Sequence, residues 1–297
     1  MTETYQRKPE ILNKLCIFIF SHGNPDNVLT VKSLEKYGYT GAWYILLDDE
    51  DKAYQQYADR FGKDKIVTFS KSEVAKTFDR MDNDTATNTV VFARNACFDK
   101  AKELGYTYFM EYDDDYYEFQ FRFEEEGHLR ALFPTNLDVV YEALLEYYIS
   151  IPNLKTLCIA QNGDFLGGID GSHFKARYMR KAMNTFLCSV DRPFKFIGYL
   201  NEDVNTYCLY GAQGDLFATI MDVSINQTDT QQKDRDNGIT GAYVGDGTYR
   251  KSFYTVMCCP SFVKIGIIGN NHARIHHNVD WKYAVPKIIS DRYRLED

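Results

Sequence analysis

Through the first third of the chain, apolar residues fall in short blocks separated by polar stretches with helical spacing. Leu15–Phe20 (LCIFIF) is a continuous apolar run of strand length, and Ala42–Leu47 (AWYILL) is a second. Lys65–Phe69 (KIVTF) predicts a third strand and Tyr106–Tyr112 (YTYFMEY) a fourth. Between them, Pro25–Tyr37 predicts a helix with proline in its first turn, Asp51–Phe61 a short helix, and Asn88–Leu104 a longer one ended by Gly105. Strands joined by helical crossovers predict an α/β fold with a mainly parallel sheet covered on both faces. Further on the pattern loosens. Tyr116–Phe123 alternates aromatic and polar residues and predicts a strand, Asn136–Ser150 a helix, and Thr156–Gln161 another strand. Gly163–Gly171 (GDFLGGIDG) is rich in turn residues, and Thr228–Gly247 is polar with no apolar period, which predicts a long loop. No repeat, low-complexity tract or linker divides the chain, so residues 1–297 read as one domain.

Three polar clusters close predicted strands on the same edge. Ser21-His22-Gly23 follows the first strand, Asp48-Asp49 the second, and Asp113-Asp114-Asp115 the fourth. Ligands of open α/β sheets bind beyond the carboxyl ends of the strands, so this rim is where chemistry is expected. Three adjacent carboxylates repel and raise each other's pKa values, which calls for a compensating positive charge. Asp113 and Asp115 form a D-x-D pair of hard oxygen donors, suited to Mg²⁺ or Mn²⁺ bridging a carboxylate to substrate phosphates. A solvated acidic turn is the bland reading of the same residues.

Composition narrows the classes. The formal net charge of −8 argues against a surface that grips nucleic acid everywhere, without excluding a local basic patch. One basic stretch lies between Gly171 and Lys195, with Lys175, Arg177, Arg180, Lys181 and Arg192, and predicts a solvated helix face or a polyanion-contacting loop. The seven cysteines form no repeated C-x-x-C and predict buried, reduced thiols. No apolar run is long enough to span a membrane, and the first residues are polar, so a soluble, cytoplasmic protein without a membrane partner is expected. Neither G-x-x-x-x-G-K-[ST] nor G-x-G-x-x-G occurs.

His272, His276 and His277 gather half of the six histidines near the C-terminus. A neutral imidazole there could complete a metal site begun by the aspartates, or the three could be ordinary surface or core histidines. Glu202-Asp203 opens a predicted helix: the pair either complements the helix dipole or supplies a general base that takes a proton from an acceptor hydroxyl. Arg94-Asn95 could be a buried polar pair behind the aspartates or a set of ligand contacts.

Together, S-H-G-x-P after the first strand, the Asp48-Asp49 turn, F-A-R-N before the fourth strand, the aspartate triplet, L-N-E-D and the C-terminal histidines resemble a GT-A glycosyltransferase. The C-terminal HHNVDWKYAVPKI further resembles the TET/JBP-associated glycosyltransferases, a bacteriophage group that modifies hydroxymethylated pyrimidines in DNA. The resemblance implies a Rossmann-like three-layer α/β/α fold with a mainly parallel mixed sheet. It implies a nucleotide-sugar-binding half over about 1–115 and an acceptor half over about 116–297 that ends in a metal and donor segment. It places Asp113 and Asp115, with His276, His277 or His272, around Mn²⁺ or Mg²⁺ and the diphosphate of a UDP-sugar. Ser21, His22, Gly23, Asp48, Arg94 and Asp114 would hold the donor, with backbone approach at Gly167 and Gly168 and a contact from Lys287. Asp203, beside Glu202, would be the catalytic base of an inverting transfer to hydroxymethylcytosine in DNA. A glycosyltransferase acting on protein or glycan, a nucleotidyltransferase, and a non-catalytic nucleotide-sugar or modified-DNA binding module are the alternatives.

Overall fold

The computed structural model describes residues 7–82, 87–172, 174–176, 179–228, 250–268 and 273–286. The strands are β1 (Leu15–Phe20), β2 (Ala42–Asp48), β3 (Ile66–Phe69), β4 (Tyr108–Asp113), β5 (Tyr116–Glu125), β6 (His128–Leu132), β7 (Leu154–Gln161), β8 (Phe186–Ser189), β9 (Leu216–Gln227), β10 (Val263–Ile268) and β11 (Arg274–Val279). The helices are α1 (Leu29–Lys36), α2 (Tyr54–Phe61), α3 (Lys71–Val74), α4 (Val91–Glu103), α5 (Leu137–Ser150), α6 (Glu202–Gln213), α7 (250–258) and α8 (Trp281–Ala284).

Nine strands form one mixed sheet in the order β3-β2-β1-β4-β8-β7-β9-β5-β6, and β10 and β11 form a separate hairpin. The block β3-β2-β1-β4 is parallel throughout. β8 then runs antiparallel between β4 and β7. β7 and β9 are parallel, and β5 and β6 close the far edge antiparallel.

All six residues of β1 are buried, the reason its sequence shows an unbroken apolar run instead of alternation. Leu15, Ile17 and Ile19 enter a core formed with α1, α2 and α5. Cys16, Phe18 and Phe20 enter a second core with α4, α6 and α7. Two cores on opposite faces of one sheet make the expected three-layer α/β/α arrangement. The cysteines are all free, and all but Cys258 are fully buried.

Two local expectations change. The helix expected over Pro25–Tyr37 is split: a 3₁₀ turn spans Pro25–Asn27, and α1 starts only after Val28 leaves helical geometry. Tertiary bonds cause the break. The backbone N–H of Asn24 donates to the Tyr57 hydroxyl (2.9 Å), and the N–H of Thr30 donates to the carbonyl of Asp114 (3.1 Å). Among the described residues, the basic stretch Gly171–Lys195 forms no α-helix. Its described residues include a 3₁₀ turn at Phe174–Ala176 and β8, which the sheet buries completely. Arg192 there donates to the carbonyls of Tyr148, Ile151 and Leu154 at 3.0–3.1 Å and closes the end of α5. Arg180 is buried as well.

Candidate active site

The parallel block carries the site on the carboxyl edge of its strands. β1 and β4 pair in register through Phe20 and Asp113, so the aspartate triplet and the Ser21 loop emerge side by side. Thr30, at the start of α1, pins the triplet: its hydroxyl donates to the Asp113 carbonyl (2.6 Å) and accepts from the N–H of Tyr116 (3.0 Å). The three aspartates serve different neighbours. Ser21 donates its hydroxyl to Asp114 Oδ2 (2.5 Å) and lies 2.7 Å from the Tyr57 hydroxyl. Asp115 Oδ2 accepts from the Thr228 hydroxyl at the end of β9 (2.6 Å). Asp113 lies among charges; burial, then the neighbouring carboxylates of Asp115, Asp114 and Glu202, push it up to about 7 against the pull of Arg94.

Behind Asp113 is a fully buried ion network. Arg94, on α4, is 3% exposed and donates through Nη1 to Glu111 Oε2 (3.1 Å) and through Nε to Glu202 Oε1 (3.1 Å). The ring of Phe186 lies 4.7 Å from its guanidinium, with Phe20 and Phe196 at 5.6 Å. Glu111, next along β4 but one from Asp113, is pushed up to about 8 by burial, and its Oε1 has no hydrogen-bond partner among the described residues. Glu202 is raised by burial and by the charge of Asp203. Arg94 is therefore the buried member of the two readings the sequence left open, and Asn95 is too: its amide exchanges two 2.9 Å bonds with the backbone of Phe196.

Asp203 follows Glu202 in the first turn of α6 and is half-buried; its Oδ1 accepts from the N–H of Val204 (2.8 Å). The residue before the pair, Asn201, is held in the left-handed region (φ 54°). Its side-chain amide donates to the Lys251 carbonyl (2.8 Å) and lies 3.2 Å from both the Thr255 hydroxyl and His277 Nδ1. This amide joins α6, α7 and β11 at one point. His277 is pushed down to about 3 by burial, then by His276 and Lys251. His276 is lowered by burial, Arg274 and Lys251, and the two rings are 4.2 Å apart. Both are neutral imidazoles at neutral pH.

On the other side of β1, the ends of β2 and β3 form a second polar group. His22 Nδ1 lies 2.7 Å from Asp48 Oδ2, and Lys71 Nζ lies 3.1 Å from Asp48 Oδ1 and 3.0 Å from Glu50. The N–H of Gly23 donates to Asp51 (3.0 Å). Gly167 (φ 87°) and Gly168 (φ 65°) lie in the turn beyond β7, both left-handed; a side chain at Gly167 would stand 3.0 Å from the Cα of Gly171. His272, Lys287 and most of the expected loop 228–247 lie outside the described residues.

The fold therefore brings Ser21, His22, Gly23, Asp48, Asp113, Asp114 and Asp115 to one rim, links Arg94 to Glu202, and ties His277 to the start of α6. Thr30, Tyr57, Lys71 and Asn201 also build the rim, and sequence reasoning missed them. Lys71 stands two residues beyond β3, a strand-end position that could have flagged it. Among the described residues, no group of three or more His, Cys, Asp or Glu side chains is arranged to hold a metal by itself. No helix among them is long and apolar enough to cross a membrane.

The acidic rim sits on the carboxyl edge of a mixed α/β/α sheet, and the family match makes the chain a glycosyltransferase, an enzyme. The chain belongs to the TET-associated glycosyltransferase family, whose model matches residues 15–236. No curated protein matches the sequence. Among solved structures, it is similar to glucosyl-3-phosphoglycerate synthase from Mycobacterium tuberculosis in complex with Mn²⁺, UDP and phosphoglyceric acid. That match has 8% identity and a TM-score of 0.48 and covers 94% of this chain and 93% of the other. A mannosyltransferase from Pyrobaculum calidifontis in complex with GDP-mannose and Mn²⁺ is similar at 9% identity and a TM-score of 0.45, covering 73% and 58%.

Proposed function

We propose that the protein transfers a sugar from a UDP-sugar to the hydroxyl of a 5-hydroxymethylpyrimidine, hydroxymethylcytosine, in DNA, with inversion at the anomeric carbon. The observation that carries the reading is the junction at Arg94, which joins the strand bearing Asp113 to the helix bearing Asp203. Donor-side acids and a base for the acceptor are thereby neighbours. Residues 1–115 supply the donor side, with Ser21, His22, Gly23 and Asp48 around the nucleoside, and residues 116–297 the acceptor side.

The donor set suits a divalent cation. Asp113 and Asp115 offer hard carboxylate oxygens, and Asp113 is held short of full ionisation by burial and like charge, a condition that a cation relieves. Mg²⁺ and Mn²⁺ sites of this kind need only one or two carboxylates, because substrate phosphates and water complete the shell. When bound, the ion neutralises charge on the departing diphosphate. Of the histidines, His277 and His276 are neutral and so of the form that can join such a site. Asp203 accepts the proton of the acceptor hydroxyl as the new bond forms on the face opposite the leaving group. Glu202 holds Asp203 in place through Arg94.

A protein or glycan acceptor is the second reading, favoured by one observation. Arg180 and Arg192, two of the basic residues that would have met DNA phosphates, are engaged within the fold, and the net charge is −8. The test is nucleoside mass spectrometry after incubating the protein with hydroxymethylcytosine duplex, a pool of UDP-sugars and Mn²⁺, beside an EDTA control. A hexose or pentose mass gain abolished by EDTA is expected. UDP release without any gain in the DNA would overturn the acceptor and leave the transferase.

A further inference from the structure

Below the aspartate rim, β5 and β9 carry a polar group that the transfer proposed above leaves unused. Glu118 and Asn226 face each other across the two strands, and Gln120 and Ser224 are the next pair. Phe119, Val223 and Ile225 enter the core with α1, α2 and α5, so these four polar side chains stand on the opposite face of the sheet. α6 packs on that same face through Val204, Tyr207 and Cys208, so it is also the side of Asp203. Asn226 stands two positions before Thr228, whose hydroxyl donates to Asp115. The group therefore lies about 7 Å along the strand from the rim.

One carboxylate oxygen organises the group. Glu118 Oε2 accepts from Asn226 Nδ2 (2.6 Å) and from Gln120 Nε2 (2.7 Å). A carboxylate only accepts, so both amides must turn nitrogen toward it and oxygen away. The two amide oxygens, Asn226 Oδ1 and Gln120 Oε1, are buried and have no hydrogen-bond partner among the described residues. Asn226 as a whole is 7% exposed. Arg122, the next residue of β5 on this face, is engaged elsewhere, donating to Ser224 Oγ (3.0 Å) and Asn162 Oδ1 (2.6 Å). Two buried acceptors without donors are unfavourable as they stand and call for a ligand that brings N–H or O–H groups.

We propose that Gln120 and Asn226 form the subsite that reads the acceptor base through the exocyclic amino group of hydroxymethylcytosine, and that Glu118 is a positioning residue acting through both amides. The inference deepens the acceptor reading above and rests on it. An amino group carries two N–H donors and suits two acceptor oxygens, whereas hydroxymethyluracil presents a carbonyl oxygen at the same ring position and is repelled. Acceptor side chains facing the amino group of cytosine are a general pairing. A base of duplex DNA reaches such a surface once it is extruded from the stack, which frees its pairing edge for hydrogen bonds. The amino and hydroxymethyl groups occupy neighbouring ring positions, so fixing the first also fixes the hydroxyl that reacts.

Transfer to two duplexes that differ only in the target base, hydroxymethylcytosine or hydroxymethyluracil, tests the assignment, with a UDP-sugar pool and Mn²⁺ and kcat/KM read for each. The wild type is expected to favour hydroxymethylcytosine by about tenfold or more, the discrimination of one good base contact. Gln120→Met, which removes one acceptor oxygen, is expected to lower transfer to hydroxymethylcytosine about tenfold more than transfer to hydroxymethyluracil. Glu118→Gln is expected to narrow the preference by raising transfer to hydroxymethyluracil, because a glutamine oxygen or nitrogen can face the two amides and lets them present nitrogen to a carbonyl. Misfolding does not produce that gain. Equal falls on both duplexes, or a wild type without preference, would overturn the inference while leaving DNA as the acceptor. A rise in the KM for UDP-sugar in Gln120→Met, equal on both duplexes, would assign the oxygens to sugar hydroxyls and overturn it as well. A wild type that releases UDP yet modifies neither duplex overturns the acceptor reading itself, so the two failures are distinct.

Discussion

Asp48 and Asp113 end the two strands that flank β1, on one edge of one sheet, and their charges are balanced in opposite senses. Burial works against ionisation of Asp48, but hydrogen bonds from His22 and Lys71 hold it below the usual carboxylate range. Around Asp113, burial and like charge win. One guanidinium, Arg94, serves Glu111 and Glu202 directly and Asp113 at longer range, leaving Glu111 at about 8 and Asp113 at about 7. Asp48 is compensated from within the fold. The surroundings of Asp113 have more negative groups than local cations, so an incoming cation gains most there. The difference teaches that the number of acids at a rim says less than the number of cations reaching each one.

The comparison can be broken at four points. The largest effect is expected from Asp203→Asn, which removes the proposed base on the undercompensated side. Turnover should fall by roughly 10²- to 10⁴-fold, the range for loss of general-base catalysis, with UDP affinity retained. Single-turnover rates and calorimetry check both halves, and loss of UDP binding would count against the role. Next is Arg94→Met. Two buried carboxylates then lose the one cation that pairs with them among the described residues, and a cost of about 3–5 kcal/mol is expected in urea unfolding. Adding Glu202→Gln to that variant should return part of it, because one of the stranded charges is then gone.

The third effect is a pH slope. A buried carboxyl whose folded pKa is raised binds its proton more tightly in the folded state than in the unfolded state. Between the unfolded value of 4.5 and about 8, Glu111 therefore makes the fold less stable as pH rises. Glu111→Gln should flatten that decline, as followed by melting temperature across the window. Asp48 has the opposite sign: its contribution is present above the ordinary carboxylate pKa and is lost as pH falls through its lowered one. The smallest effect is expected at the compensated group. Lys71→Met removes one of the two side chains that hold Asp48 and should cost about 1.5–3 kcal/mol, with an upward shift of the Asp48 carboxyl in a carbon NMR titration.

Much of the parallel block was legible in the sequence. β1 is buried throughout where the chain reads LCIFIF, β2 is buried from Ile45 onward where it reads AWYILL, and α5 falls where a helix was expected, with Asn136 capping it by accepting from the N–H of Val139. The antiparallel half was less so. β8 has four residues inside a basic stretch, and β6, β9, β10 and β11 carry mixed patterns that become strands only beside a partner. Their pairing joins residues far apart in the chain, such as Phe119 with Ile225, and no local period encodes that.

The same division holds for the site. The sequence alone determined that acids gather at strand ends, because residue type and strand position are both local properties of a chain. Its short motifs and the C-terminal HHNVDWKYAVPKI resembled the family that the match over residues 15–236 shows. Only the tertiary structure decided which acid meets which cation. Arg94 reaches across 108 positions to Glu202, and Asn201 across 76 to His277. Such pairings depend on how crossovers bring strands and helices together. Burial, which sets whether a carboxyl is charged, exists only once those layers have closed.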